Sequence, residues 1–235
     1  MEIEQRIMDY WDKRSENFSA VRRKELAGAD AEGWLEYINS KIPARTPLKL
    51  LDVGTGAGFF SLLMARAGHE VIGIDMSEEM IRHARLNADD LKLRAELRVM
   101  NAQRLEFDDE TFDAVLSRNL TWTLPDVECA YREWYRVLKR GGVMLNFDSD
   151  YGDVHFDDVV TCSRAGVDEA QLDECGAIKD ALSISKKRRP SWDEEYLRSI
   201  GFTVSVDDDI ASRVRRDAAL DFDRIALFAL AAHKK

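Results

Sequence analysis

Leu51-Asp52-Val53-Gly54-Thr55-Gly56-Ala57-Gly58 closes a short apolar run, residues 48–53, and precedes a helical face carrying Phe59, Leu62, Leu63 and Ala65. Glycines at a strand-to-helix turn let the backbone approach a ligand closely and aim amide hydrogens at it. The helix stops at Gly68, a natural position for the residue after a C-cap. The same alternation continues outward. Residues 71–74 read as a strand, Ser77 as an N-cap, and Glu78 and Glu79 lie in a first turn where the helix dipole favours them. Residues 97–100 and 112–116 are two more strands. Val127, Ala130, Tyr131, Trp134, Val137 and Leu138 mark one face of a helix over 126–139, stopped by Gly141 and Gly142, and 143–147 is a fifth strand. Strands alternating with helices predict an α/β fold, a doubly wound sheet with helices on both faces. The strands are apolar runs, as expected when both faces are covered.

The flanks have a different texture. In residues 1–46, Ile3, Ile7, Tyr10 and Trp11 form one helical set, Trp34, Leu35 and Ile38 a second, and Pro43 and Pro47 punctuate the end. Residues 148–190 are polar and irregular, with a weak helical stretch over 168–182. Ser191-Trp192-Asp193-Glu194 has the capping-box pattern and opens a short helix ending at Gly201. Residues 202–206 read as a strand. Residues 225–232 are Ala- and Leu-rich, and their pattern fits strand or helix. The organisation expected is a helical cap, 1–46, and one domain, 47–235, with a lid insertion over about 150–190.

A chain of 235 residues buries enough surface to fold without disulfides or metal. Lys plus Arg is 34 against 44 for Asp plus Glu, a net charge of −10, which argues against a nucleic-acid partner. Cys129, Cys162 and Cys175 are odd in number and lack C-x-x-C spacing, which suits free thiols in a reducing compartment. The polar, acidic start does not read as a secretory signal, and no apolar run approaches the ~20 residues of a membrane span. A cytoplasmic protein with no membrane partner is expected.

The glycine turn departs from the G-x-G-x-x-G dinucleotide fingerprint. Its third glycine, Gly58, falls one place early, and Phe59 stands where the fingerprint has glycine. Asp52 would meet a pyrophosphate with like charge, but it suits a ligand that brings a cation. Asp75 ends the second strand, about 20 residues after the first glycine, where nucleotide folds place the reader of ribose hydroxyls. A ribose, a cationic tail and no phosphate are the features of S-adenosylmethionine.

The stretch from Leu51 to Ala88 resembles the class I S-adenosylmethionine-dependent methyltransferases, and the resemblance extends to most of the chain. The glycine turn is similar to that family's first motif, and Val71-Ile72-Gly73-Ile74-Asp75-Met76-Ser77 to its second. Asn101-Ala102-Gln103-Arg104-Leu105 resembles the adenine-edge motif, with Asn101 where the family usually has Asp. Phe112-Asp113-Ala114-Val115-Leu116-Ser117-Arg118-Asn119 is similar to the fourth-strand motif. Tyr135-Arg136-Val137-Leu138-Lys139-Arg140-Gly141-Gly142 is similar to the signature after the following helix, with Arg140 where proline is common. Asp9-Tyr10-Trp11-Asp12-Lys13-Arg14 resembles the small-molecule branch, in which an N-terminal helix folds over the cofactor. The resemblance implies a three-layer, mostly parallel seven-stranded sheet with the last strand antiparallel. It implies S-adenosylmethionine as cofactor, held by Asp52, Gly54, Thr55, Gly56, Gly58, Asp75 on the ribose, Met76 against the adenine, Asn101, Ala102, Gln103 and Ser117. The activity implied is methyl transfer to a small-molecule acceptor by a monomer or homodimer. Action on tRNA or protein, or cofactor binding without turnover, are the alternatives.

The acceptor is expected beyond the carboxyl ends of the fourth and fifth strands. Asn119-Leu120-Thr121-Trp122 lacks the Asn/Asp-Pro-Pro-Tyr/Phe signature of enzymes that methylate amino groups of bases or glutamine. Tyr10, Trp11, Asn119, Trp122, Asp148 and Tyr151 are the candidate acceptor-binding residues, and His155 is the candidate general base. The acidic run from Asp148 through Asp153 to Asp157 and Asp158 reads as a solvated loop or as an attractor for a cationic acceptor. It lacks a calcium-loop spacing, so no metal is expected. Lys186-Lys187-Arg188-Arg189 reads as a solvated loop or as a contact for an anionic group.

Overall fold

The computed structural model describes residues 2–156, 167–217, 220 and 225–235. Two helices come first, α1 (Ile3–Ala27) and α2 (Ala29–Asn39). The alternating part then runs β1 (Lys49–Val53), α3 (Phe59–Arg66), β2 (Glu70–Asp75), α4 (Glu78–Leu91), β3 (Glu96–Val99), β4 (Phe112–Arg118), α5 (Val127–Val137) and β5 (Leu138–Ser149). It is followed by α6 (Glu169–Ala181), α7 (Ser191–Ser199), β6 (Phe202–Asp207), α8 (Ala211–Val214) and β7 (Leu227–Lys234). The seven strands form one sheet in the order β3-β2-β1-β4-β5-β7-β6. β1 to β5 pair in parallel, and β7 runs antiparallel to both β5 and β6.

Alternation along each strand builds a core on each face, because successive side chains point to opposite sides. In β1, Leu51 and Val53 join α5, α6 and α7 on one face, while Leu50 joins α2, α3 and α4 on the other. Trp34 of α2 is fully buried and meets the rings of Phe60 and Phe147 edge-on at 5.1 and 5.0 Å. α2 is therefore part of the packed layer, and α1 alone reaches across the carboxyl ends of the strands. No helix among the described residues is long and apolar enough to cross a membrane.

Two local readings differ from the structure. The helix expected to reach 139 gives way at Leu138 to β5, which runs through both glycines. The pairing with β4 is irregular there, between Phe112 and Ala114, and a Cβ on Gly142 would lie 2.8 Å from the Lys139 carbonyl and 3.0 Å from that of Asp113. The glycines thus serve a tight strand irregularity. The Ser191 capping box does not form. Pro190 is the N-cap, Ser191 already lies inside α7, and Asp193 is drawn into a buried ion pair. A capping box does occur at α6, where Asp168 accepts from the Gln171 backbone and the Gln171 side chain accepts from the Asp168 backbone. Residues 227–234 are a strand. Their alanines fit a central position between β5 and β6, with Ala229, Ala231 and Ala232 all buried. Ser77 is the N-cap of α4 and accepts from the Met80 N–H at 3.0 Å.

Candidate active site

The carboxyl ends of β1, β2 and β4 open into a cavity of about 170 Å³ beneath α1. Its floor is organised by two carboxylates. Asp52, buried at the end of β1, accepts through Oδ2 from Thr55 Oγ1 at 2.6 Å, Ser61 N at 2.9 Å and Ser61 Oγ at 2.8 Å. It thereby ties the glycine turn to the first turn of α3. Burial pushes its carboxyl up, and those bonds with Arg118 nearby work in the other direction. Gly73 of β2 makes room for this knot, since a Cβ there would lie 2.3 Å from Ser61 Oγ. Asp75, at the end of β2, accepts from Gly56 N at 2.9 Å through one oxygen and from Ser77 N at 3.0 Å through the other. Burial pushes this carboxyl up to about 6, against those two amides. Gly54 and Gly56 have φ of +68° and +53°. These values favour glycine, and a Cβ on Gly54 would also lie 2.8 Å from Leu120.

α1 forms the roof. Glu4, Ile7, Trp11, Arg14, Phe18 and Arg22 recur every three or four residues and face the cavity as one stripe. Glu4 Oε1 accepts from Gln103 Nε2 at 3.0 Å and from Asn101 Nδ2 at 3.4 Å, so the roof touches the adenine-edge motif. Asn101 Oδ1 in turn accepts from Gln103 N at 2.8 Å. Asp12 accepts from Ser77 Oγ, and Arg6 pairs with Glu174 of α6 at 2.9 Å. Burial holds the Tyr10 phenol well above its ordinary range, with Cys175 adding to the shift.

The acceptor end is framed by the 3-10 turn Thr121–Thr123 and by Tyr151 and Phe156, whose rings gather on Trp122 at 4.8 and 5.6 Å. A buried ion network lies directly behind it. Arg189 pairs with Asp148 at 3.1 Å and with Asp193 at 2.8 Å, and all three side chains are at most 2% exposed. Asp148 also accepts from Thr121 Oγ1 and Trp122 N, and Arg189 donates to Thr121 Oγ1 at 2.7 Å. Tyr131 of α5 donates to Asp193 at 2.6 Å. The network clamps β5, the 3-10 turn, α5 and α7 together. Burial works against the charge on Arg189, and Asp193 and Asp148 more than offset it, holding its pKa well above the ordinary value.

Of the residues expected at the site, Tyr10, Trp11, Asp52, Gly54, Thr55, Gly56, Asp75, Met76, Asn101, Ala102, Gln103, Asn119, Trp122 and Tyr151 line this one cavity. Four do not. Gly58, φ +92°, is the N-cap of α3, packed against Ala84 and Leu62. Ser117 is enclosed within β4. Asp148 faces the ion network, because its charge is consumed by Arg189. His155 is exposed and is not part of the lining. Asp157, Asp158 and Cys162 lie outside the described residues. Arg189, read as part of a solvated or anion-contacting run, is buried in the clamp. The cavity also holds residues that the sequence reading passed over, among them Glu4, Arg14, Phe18, Arg22, Arg118, Cys175 and Arg215. Polar side chains on the otherwise apolar stripe of residues 4–22 were the available signal.

Residues 51–146 match the methyltransferase domain family. The ubiquinone biosynthesis O-methyltransferase of Pelagibacter ubique is 34% identical over 142 residues, 58% of this chain and 58% of that protein. The phosphatidylethanolamine N-methyltransferase of Cereibacter sphaeroides is 38% identical over 109 residues, 44% of this chain and 53% of that protein. The chain thus spans less than two thirds of the length of these relatives. Among solved structures, phosphoethanolamine N-methyltransferase 2 of Haemonchus contortus, in complex with S-adenosyl-L-methionine, superposes with a TM-score of 0.68. It covers all of this chain and 60% of its own, at 19% identity. A SAM-dependent methyltransferase of Aquifex aeolicus gives a TM-score of 0.59 at 18% identity, over 84% and 87% of the two chains. The sheet order and the single antiparallel β7 are those of the class I, Rossmann-like methyltransferase fold, and residues 51–146 match the methyltransferase domain family. S-adenosylmethionine is the cofactor of that family. A carboxylate oriented by two backbone amides, beside a phosphate-unfriendly Asp52, fits it.

Proposed function

We propose that the protein is a cytoplasmic S-adenosylmethionine-dependent methyltransferase acting on a small-molecule acceptor, without nucleic acid, as a monomer or homodimer. The observation that carries the reading is Asp75. Its two oxygens each take one backbone amide and keep acceptor capacity for a vicinal diol. Met76 and Ala102 would flank the adenine, Asn101 and Gln103 would meet its edge, and Gly54, Thr55 and Gly56 would pass beneath the amino-acid tail. The bound cofactor supplies a methyl group already activated by a positive sulfur.

The protein's own work is then alignment and exclusion of water. Holding donor and acceptor in line contributes ~7–11 kcal/mol of barrier reduction. The roof stripe of α1 and the Trp122 cluster enclose the acceptor end and strip water from it. No histidine occurs among the described lining residues. Calorimetric titration with S-adenosylhomocysteine and with NAD tests the assignment. Micromolar binding of the first and none of the second is expected, and the reverse order overturns it. Release of S-adenosylhomocysteine on incubation of S-adenosylmethionine with a panel of small acceptors then tests turnover.

A further inference from the structure

The carbonyl oxygens of residues 101–103, at the adenine-edge motif, are each engaged by the protein itself. Asn101 Oδ1 takes the Gln103 N–H at 2.8 Å, and Gln103 Oε1 takes the Asp126 N–H at 2.7 Å. The backbone carbonyl of Asn101 accepts from Arg104 N at 3.1 Å, that of Ala102 from Trp134 Nε1 at 3.0 Å and that of Gln103 from Cys129 Sγ at 3.3 Å. A backbone N–H fixes the oxygen of each carboxamide, so the amide nitrogens turn the other way. Both turn to one atom of α1. Gln103 Nε2 donates to Glu4 Oε1 at 3.0 Å, and Asn101 Nδ2 approaches the same oxygen at 3.4 Å.

Adenine carries an exocyclic amine at its 6-position, a donor that needs an acceptor. The two carboxamides turn donors toward α1, and donors do not pair with an amine's hydrogens. Glu4 supplies the missing acceptor. It lines the cavity, and its side chain is 37% exposed, so it is open to a ligand. Its second oxygen, Oε2, has only Arg104 at 4.0 Å beside it among the described residues. An ionised carboxylate has about four lone-pair sites, and the two carboxamides occupy Oε1 alone. Asn101 stands where the family usually has Asp. The negative charge missing there returns on α1, 97 positions earlier in the chain.

We infer that Glu4 is the residue that selects adenine: Oε2 accepts the 6-amino group of the cofactor while Oε1 stays on Asn101 and Gln103. The bond is charge-assisted, and so stronger than one to a neutral amide. It also discriminates. A 6-oxo purine would set its carbonyl oxygen against the carboxylate, a repulsion that rejects the wrong base. The base is thus read from the roof and not only from the sheet, and α1 seats on the base itself. This inference rests on the reading of residues 101–103 as the adenine edge of a S-adenosylmethionine site.

The test is calorimetric titration with S-adenosylhomocysteine and with S-inosylhomocysteine, its 6-oxo counterpart. The wild type should prefer the first by about thirtyfold or more. In Glu4→Ala the first should weaken about threefold and the second tighten about threefold, so the preference narrows about tenfold. A Glu4 that merely held α1 down would weaken both ligands by the same factor. Adding Asn101→Asp to Glu4→Ala returns a carboxylate to the edge and should restore the preference to within about threefold of the wild type. Should Glu4→Ala lose helical circular dichroism, Glu4→Gln carries the same comparison, for it keeps the size and removes the charge. Equal binding of the two ligands by the wild type, or a preference unchanged in the Glu4 variants, overturns the inference and leaves the cofactor reading standing. A double variant no more selective than Glu4→Ala overturns it as well. If the wild type binds neither ligand, the cofactor reading falls and takes the inference with it.

Discussion

The two ends of the cavity are built by opposite means. The cofactor end is local: Asp52, Thr55 and Ser61 bond to one another within ten residues of chain, and Asp75 bonds to Ser77 beside it and to Gly56 across one strand spacing. Its groups are carboxylates and backbone amides. The acceptor end is assembled from afar. Arg189 reaches Asp148 across 41 positions and Thr121 across 68. Its groups are aromatic rings backed by the buried Arg189–Asp148–Asp193 network. A part made by neighbouring residues can be kept while the acceptor changes, whereas a part made by distant ones is set by the whole fold. The contrast places the invariant chemistry of the donor on the first and the choice of acceptor on the second.

The sharpest way to break this comparison is to remove the clamp. Arg189→Met leaves Asp148 and Asp193 buried without their cation and should cost about 3–5 kcal/mol in urea unfolding. S-adenosylhomocysteine affinity of the folded fraction should stay within about threefold. A stability loss below about 1 kcal/mol would show that the network is not holding the acceptor end. Next in size, Asp75→Ala should weaken S-adenosylhomocysteine by about 100-fold in calorimetry while far-ultraviolet dichroism is unchanged, since two charge-assisted bonds are lost. Unchanged affinity would remove Asp75 from the site.

The third effect is a pH dependence. The Asp75 carboxyl is raised to about 6 in the unliganded protein, chiefly by burial. Its contribution to stability therefore grows as pH falls from about 6 toward the unfolded value of ~3.9, because the folded state binds the extra proton. Cofactor binding has the opposite sign, for a ribose diol bonds to the ionised form. Affinity should drop about tenfold between pH 7 and pH 5, with proton release on binding near pH 6 detectable in buffers of different ionisation enthalpy. A flat profile would show that the carboxylate does not change its environment on binding. The smallest expected change is at the seam between the two ends. Glu4→Ala removes the contact from α1 to Gln103, and it should raise the cofactor dissociation rate about threefold in stopped-flow fluorescence with little effect on melting temperature. No change would separate α1 closure from the adenine edge.

The two ends were also unequally legible. The floor could be read because a glycine turn, an N-cap and a strand-terminal aspartate act within a few residues, so Asp52, Gly54, Gly56, Asp75 and Ser77 announce themselves by spacing. β7 was ambiguous on its own pattern and is decided by its neighbours, since alanines pass for helix until strands lie on both sides. Asp148 and His155 share a polar stretch, and spacing alone could not tell that Arg189 would bury the first while the second faces solvent. Arg118 was read only as part of a strand motif. What gives it meaning is Glu25 and Trp34, which sit far from it in sequence and adjacent to it in space. Ser191 shows the same limit: the helix starts one residue earlier, at the Pro190 N-cap, and Glu194 pairs with Arg198 instead of turning back to cap it.

β7 lies between β5 and β6 although it follows both in the chain. During synthesis from the amino end, β6 emerges with no strand to pair with, and the outer edge of β5 stays open until residues 227–234 arrive and slot between them. The sheet is thus closed by its last strand, like a keystone set after both shoulders of an arch. Until that moment the apolar edges of β5 and β6 are exposed to other chains, which makes the interval before β7 seats the one in which this protein most needs protection from aggregation.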